Sequence, residues 1–326
     1  MANNNKDNVE NQLNDVAPNG KIRPWKEKKM SSLELAESYK RLGMLKKSYR
    51  VKGCGTVLEF KRLLQDDSLK LNRANFCKVR LCPMCAWRRS NKIYAQVSKV
   101  MNKALEEQEY RFLFLTLTCK NINPNELTDS IDSLFKAYNL LTKRKEFKKA
   151  IKGWFRGLEV THNLEQDTYH PHFHVILMVN KSYFKKLELY MNQKDWTSIW
   201  KSCLGVDYTP IVDIRAFKAT SKTQMAKSLS ESAKYTVKDN DYLIAENEVL
   251  TDASVSILDL ALAGRRLVAF GGELRRIHKV LNLDDMEKGD LVNTGEEEEI
   301  REDVSYIIEC YKWHIGYKQH IKVDKK

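Results

Sequence analysis

The segment Tyr169-His170-Pro171-His172-Phe173-His174-Val175-Ile176-Leu177-Met178-Val179 limits what this chain can become more than any other. From His172 onward it is rich in β-branched and large apolar residues and reads as a buried strand. Side chains alternate along a strand, so His172 and His174 share a face with Ile176 and Met178. Phe173, Val175, Leu177 and Val179 line the other. Two imidazoles side by side at the mouth of a strand make half a metal site. A pair of hydrogen-bonded core histidines is the alternative. Three of the chain's seven histidines fall within five residues here, which favours the metal.

The surrounding pattern alternates helices and strands. Ile151–Thr161 reads as a strand, and residues 163–168 turn the chain into the histidine strand. In that hairpin Glu159 falls opposite His172 or His174, depending on register. A carboxylate beside two imidazoles makes a mixed N/O site suited to Mn²⁺ or Mg²⁺, and also to Zn²⁺. Otherwise Glu159 is a surface strand residue. Upstream, residues 90–109 are helical in pattern and Arg111–Thr118 is a buried strand. Asn123-Pro124-Asn125-Glu126 opens a helix running to about Lys149. Downstream come a helix over about 183–201 and a strand over Thr209–Phe217. A helix over Ser221–Lys238 would place Met225, Leu229, Ala233 and Val237 on one side. Lys227, Glu231 and Tyr235 would lie on the other, with Lys238 one turn beyond. That face groups an acid, a phenol and an amine; a merely solvated face is the alternative.

Cysteines mark a second site. Cys82 and Cys85 have the CxxC spacing that aims two thiolates at one ion; Cys77 precedes them by five, and Cys54 can close a tetrahedral Cys₄ set. Structural zinc there would substitute for a core that this short segment cannot build alone. A redox CxxC is the weaker reading, because no thioredoxin-like βαβ pattern surrounds it. Arg80, Trp87, Arg88 and Arg89 interleave cations and aromatics, either to face DNA or to cap the zinc fold.

The chain has 326 residues, 56 Lys+Arg against 43 Asp+Glu, and a formal charge of +13. Residues 284–303 hold ten acidic and two basic side chains, so the remainder is more basic still. The stretches 40–62 and 136–156 each carry eight basic residues and one acidic. This favours a polyanion partner, nucleic acid above all, over a plain solubilising surface. No apolar run approaches the ~18 residues of a membrane span and no signal-peptide core is present, so a cytoplasmic protein without a membrane partner is expected. Seven cysteines, four of them metal-spaced, point to reduced thiols.

Four domains are expected. Residues 1–30 form a disordered N-terminus and 31–93 a basic helix with the zinc module. Residues 94–245 carry the histidine strand, and 246–326 form a C-terminal accessory region with the acidic stretch. The helix over 31–47 would use Leu33, Leu35, Ala36, Tyr39, Leu42 and Leu45 as its apolar face.

Taken in order, Phe114-Leu115-Thr116-Leu117-Thr118, His170-Pro171-His172-Phe173-His174 and Lys234-Tyr235-Thr236-Val237-Lys238 resemble the three motifs of rolling-circle replication initiators of the HUH endonuclease superfamily. The Cys-rich segment resembles the one carried by initiators of small Gram-positive plasmids. The resemblance spans roughly residues 54–280. It implies an α+β fold, a ferredoxin-like antiparallel sheet flanked by helices behind an N-terminal zinc module. It implies that His172 and His174 hold a divalent ion, with Glu159 or His170 as further ligand. It implies that Tyr235 attacks the scissile phosphate to give a 5′-phosphotyrosyl link and a free 3′-OH, helped by Lys234 or Lys238. Glu231, a turn before Tyr235, matches a glutamate linked to termination, where it would activate water. Plasmid origin DNA, double- and single-stranded, and the host helicase and replication machinery are the implied partners; a homodimer is compatible.

A relaxase shares the histidine site but usually carries its tyrosine upstream, and a single-tyrosine transposase is generally shorter and lacks the zinc segment. A non-catalytic zinc-dependent DNA-binding regulator is the rival from another class, and it leaves the histidine strand unexplained. Counterion release by the basic stretches predicts affinity for DNA falling roughly 10³-fold or more between about 50 and 200 mM salt. Fluorescence anisotropy over a salt series measures this. A flat profile would remove 40–62 and 136–156 as DNA-contacting surfaces.

Overall fold

The computed structural model of the chain describes residues 11–217, 237–295 and 304–324. The elements begin with α1 (Trp25–Arg41), α2 (Leu45–Gly53), β1 (Val57–Leu63), β2 (Leu69–Ala74) and α3 (Pro83–Glu107). There follow β3 (Tyr110–Thr118), α4 (Leu127–Leu141), α5 (Lys145–Ala150), β4 (Ile151–Asn163) and β5 (Thr168–Asn180). Next come α6 (Gln193–Leu204), β6 (Val212–Ala216), α7 (Glu248–Ala261), β7 (Val268–Gly271) and α8 (Gly272–Val280). The hairpin β8 (Tyr306–His314) and β9 (Gln319–Val323) closes the series. Two compact units result: Met1–Lys92 with Leu243–Val255 and Asp290–Lys326, and Ile93–Tyr242 with Ser256–Gly289. No helix among the described residues is long and apolar enough to cross a membrane.

The second unit holds a five-stranded antiparallel sheet in the order β6-β3-β5-β4-β7. The succession β3-α4-β4-β5-α6-β6, with β3 and β5 central, is the ferredoxin-like arrangement, to which β7 adds an edge. The fold is therefore α+β, with antiparallel sheets flanked by helices. Phe173 is fully buried on the helix-facing side of β5, in edge contact with Phe135 and Tyr138 of α4 at 5.3 and 5.4 Å between ring centroids. The Arg156 guanidinium enters this cluster 4.4 Å from the Phe135 ring and 4.9 Å from Phe173. Burial lowers its pKa to about 10. On the opposite face Ile176 and Met178 are also fully buried, so β5 is covered on both sides until it reaches its histidines. Gly272 begins α8 with φ 56°, and a Cβ there would strike the Lys152 carbonyl, so the β7–α8 corner admits only glycine.

The first unit holds a four-stranded antiparallel sheet, β2-β1-β8-β9. β8 pairs along the whole of β1, from Val57 opposite Lys312 to Leu63 opposite Tyr306. Residues 246–326, expected as one accessory region, are thus divided between the two units. Each segment is recruited as a partner for a strand edge: β7 for β4, β8 for β1. Within residues 1–30, the described residues 11–30 make packing contacts of their own. Trp25 is 3% exposed, its indole donates to Asp15 at 2.7 Å, and it packs edge-on against Phe60 and Trp87. An indole that size buries enough apolar surface to order the polar segment around it.

Other boundaries differ locally. The helix expected over 31–47 starts earlier, at Trp25, and breaks after Arg41, where Gly43 takes φ 71°. The helix expected to reach Lys149 breaks between Leu141 and Lys145. That expected from 183 begins at Gln193, capped by Asn192. Of the helix expected over 221–238, all but Val237 and Lys238 lies outside the described residues. Lys238 is extended (φ −79°, ψ 147°) and leads into the 3₁₀ turn Asp239–Asp241.

Replacing Phe173 with Ala leaves a cavity beneath Phe135, Tyr138 and Arg156 and is expected to cost about 3–5 kcal/mol. Phe173→Leu should cost clearly less. Urea denaturation of the parent and the two variants is the measurement.

Candidate metal centres

The first centre is set by the register of the β4–β5 hairpin. Glu159 pairs with His172, and β3 on the other side of β5 places Thr118 opposite His172 and Thr116 opposite His174. His174 Nε2 stands 2.8 Å from Glu159 Oε2, and His172 Nε2 stands 3.5 Å from the same oxygen. The two Nε2 atoms are 3.2 Å apart. Ligand atoms each ~2.1 Å from one ion stand roughly 3.0–3.4 Å apart, so this trio has the dimensions of a metal site. Glu159, His172 and His174 can hold a metal ion together.

Their surroundings fix their orientation. His172 Nδ1 donates to the His170 carbonyl at 3.0 Å, which turns Nε2 toward Glu159 and His174. His174 Nδ1 faces Thr116 Oγ1 at 3.4 Å, and its ring stacks on Phe114. Burial acts to raise the Glu159 carboxyl, but hydrogen bonds from His172 and His174 hold it well below the usual carboxylate range. The trio is only slightly open to solvent, His174 most so with 17% of its side chain exposed. A ligand would therefore approach from the His174 side.

Of the two further ligands weighed from sequence, the structure brings Glu159 into the trio and turns His170 elsewhere. The His170 Nε2 donates to the Cys119 carbonyl at 3.0 Å while its ring stacks on His172. Burial, and then His172, lower its pKa. Lys238 does reach the site, its Nζ 4.0 Å from Glu159 Oε1. Glu231, Lys234 and Tyr235 lie outside the described residues.

Sequence reasoning passed over His162. Its Nδ1 donates to the Asp241 carbonyl at 3.1 Å, its Nε2 meets Asp167 Oδ1 at 2.8 Å, and its ring stacks on Tyr169 at 4.3 Å. It ties the turn after Lys238 to the hairpin that carries the trio. The only signal in the sequence was a polar ring at the end of a strand, three residues past Glu159.

The second centre gathers Cys54, Cys77, Cys82 and Cys85, whose sulfurs all lie within 4.8 Å of one another. Cys85 Sγ stands 3.6 Å from Cys54 Sγ and 3.7 Å from Cys77 Sγ. Four sulfurs ~2.3 Å from a tetrahedral ion stand roughly 3.8 Å apart. Backbone amides point at the sulfurs: Cys77 N–H at Cys54, Lys78 N–H at Cys85 and Val79 N–H at Cys77, at 3.3–3.4 Å. Lys78 takes φ 57° to make that knuckle. The buried Arg89 guanidinium donates to the Lys78, Val79 and Arg80 carbonyls, and Arg88 lies beside Trp25 and Trp87 while donating to the Leu291 and Val292 carbonyls. Of the two uses weighed for these arginines, capping of the fold is the one their contacts show.

The chain is thus an α+β protein with one donor set of nitrogen and carboxylate and another of four sulfurs. Residues 68–321 match the family model described as "Replication protein". A "Protein rep" of Bacillus amyloliquefaciens is 41% identical over 95% of this chain and 96% of its own length. One from Lactiplantibacillus plantarum is 40% identical over 94% and 97% respectively. One from Streptococcus pneumoniae serotype 2 is 41% identical over 89% and 90%. The chain belongs to this family of replication proteins, the plasmid Rep initiators. No solved structure matches it.

The sulfur centre predicts about one tightly held zinc per chain by elemental analysis. Cys82→Ser should lose it and melt at a clearly lower temperature, because a structural metal contributes folding free energy directly.

Proposed function

We propose that the chain initiates rolling-circle replication of a plasmid by nicking, and later rejoining, its origin DNA through a covalent tyrosyl intermediate. The observation that carries this reading is the convergence of Glu159, His172 and His174 with Lys238 at 4.0 Å. Tyr235 precedes Lys238 by three residues, a span of chain no longer than ~11 Å. In this reading the nucleophile that the motif order designates, Tyr235, works beside the trio.

Glu159, His172 and His174 would hold Mn²⁺ or Mg²⁺, which when bound polarises the scissile phosphate and offsets transition-state charge. Tyr235 Oη attacks phosphorus, the 3′ oxygen leaves, and the phosphodiester becomes a 5′-phosphotyrosyl link. No nucleotide is consumed in this exchange. A phenol of pKa ~10 is mostly protonated at neutral pH, so the Lys234 or Lys238 ammonium helps stabilise the phenolate. Glu231 takes a proton from water, or from an incoming nucleophile, in the later step that ends replication. Zinc at Cys54, Cys77, Cys82 and Cys85 is structural. The protein acts in the cytoplasm, on duplex and single-stranded origin DNA, alongside the host helicase and replication machinery. A regulator without catalysis would have no use for a strand-mouth carboxylate held ionised between two imidazoles.

Nicking of the supercoiled plasmid that encodes the chain, with Mn²⁺ or Mg²⁺, tests the proposal. Tyr235→Phe removes only the nucleophile, so cleavage and covalent adduct should both vanish while DNA binding persists. Glu231→Gln keeps the shape of the side chain and should preserve the first nick. The water-dependent step should slow by ~10²–10⁴-fold, leaving trapped adduct and multimeric single strands. Loss of the first nick in Glu231→Gln, as complete as in Tyr235→Phe, would assign the carboxylate to initiation instead.

A further inference from the structure

The basic stretch 40–62 is less uniform in the structure than in the sequence. Arg41 is engaged by Asp252 and Glu248, and Arg62 by Glu309. Lys61 lies over the Tyr306 ring at 4.5 Å. Apart from Lys40 at the end of α1, the cations that face solvent gather on α2, Leu-Lys-Lys-Ser-Tyr-Arg-Val-Lys-Gly. This helix is anchored by the buried Ser48 and Val51. At ~100° per residue, Leu45, Tyr49, Lys46 and Arg50 lie away from that buried side, and Lys52 lies at the border between Leu45 and Ser48. Lys46, Arg50 and Lys52 are exposed. Tyr49 is 82% exposed and Leu45 64%. These two lie one turn apart on the exposed arc, with Lys52 on one flank and Lys46 and Arg50 on the other.

A tyrosine and a leucine so fully in water on a packed helix contribute nothing to the core. Their flanks say what would cover them. A duplex presents base edges and thymine methyls along the floor of its major groove, and phosphates along both rims. An apolar and aromatic centre with cations on each side has that layout across its width. The helix is nine residues long, enough to enter one groove. Its far end is rigid, because the Lys52 and Cys54 carbonyls both accept from the buried Lys29 ammonium at 2.7 Å, and Arg50 Nη2 donates to the Cys77 carbonyl at 2.6 Å. The cysteine centre thereby fixes the helix that it adjoins. A membrane surface would want a broader apolar face than two side chains between cations.

We propose that α2 is the element that reads duplex origin DNA, with Tyr49 and Leu45 against base edges and Lys46, Arg50 and Lys52 on the phosphates. The inference rests on the proposed role at an origin and assigns the recognition step to a site separate from the Glu159–His172–His174 trio.

The experiment uses the full chain and equal-length duplex fragments, one set cut from the plasmid that encodes it and one set unrelated. Binding is read by anisotropy at several salt concentrations. Tyr49→Ala should weaken binding to the preferred plasmid fragment by roughly 10-fold while leaving unrelated duplex nearly unchanged. Lys46→Ala should weaken both alike and reduce the salt slope by about one. Both side chains are exposed, so melting temperature and zinc content should stay at parental values. Tyr49→Ala with parental preference for the plasmid fragment would overturn the assignment to α2, even with nicking intact. Anionic phosphatidylserine vesicles that bind the parent but not Tyr49→Ala, with DNA preference retained, would assign the surface to lipid instead. A parent that prefers none of its plasmid's fragments and nicks none of them would bring down the initiator reading itself.

Discussion

The register between β4 and β5 is the constraint on which the first candidate metal centre depends. Side chains on a strand alternate strictly, so a slip of one residue would turn Glu159 away from both imidazoles and carry His172 and His174 into the helix-packed face. Phe173 prevents it. Fully buried between Phe135 and Tyr138, it sits between the two histidines and locks the parity of the strand. Core packing on one face thus decides chemistry on the other. The histidines need no separate device to find their carboxylate, since the hairpin that buries Phe173 pairs His172 with Glu159.

The sulfur centre has a different physical basis, the disposal of charge inside a small unit. Holding a divalent ion as thiolates, Cys54, Cys77, Cys82 and Cys85 would carry a net charge of about −2. Lys29, fully buried, stands near them with its ammonium on the Lys52 and Cys54 carbonyls. Burial lowers its pKa to about 8, while the charges of Cys54, Cys82 and Cys77 favour the ammonium. A buried lysine is costly without compensation, and ligating thiolates would supply it. His320, pushed down to about 4 by burial, is neutral and donates to the Gly55 carbonyl at 2.7 Å. One cation and one neutral donor thus hold the backbone carbonyls around Cys54, and neither comes from the Cys77–Cys85 knuckle.

Much of this was legible in the sequence because it is written at short range. The two-residue period marked β5 and the face of its histidines. The hairpin connection narrowed Glu159 to one of two partners, and the CxxC spacing marked the knuckle. What escaped depends on contacts far apart in the chain. Nothing in 11–30 announces that Trp25 will insert beside Phe60 and Trp87, and nothing in 304–326 names β1 as the strand its hairpin will pair with. Helix ends depart from the apolar periodicity where a glycine in left-handed conformation, Gly43, or an asparagine cap, Asn192, outweighs it. His162 escaped because its partner Asp241 is 79 residues away.

The pairing of β1 with β8 also sets a timetable. Arg62 and Glu309 are 247 residues apart, and their strands are neighbours in one sheet. At ~5–20 residues per second, a ribosome takes about 10–50 s to travel from one strand to the other. Through most of that interval the cysteine knuckle is already synthesised while β1 still offers a bare edge. His320 has yet to reach the Gly55 carbonyl. The ferredoxin-like sheet meets its central strands within a far shorter stretch of chain. The unit whose residues come first is therefore the one completed last, and a chain released early would carry an open strand edge beside four unshielded thiols.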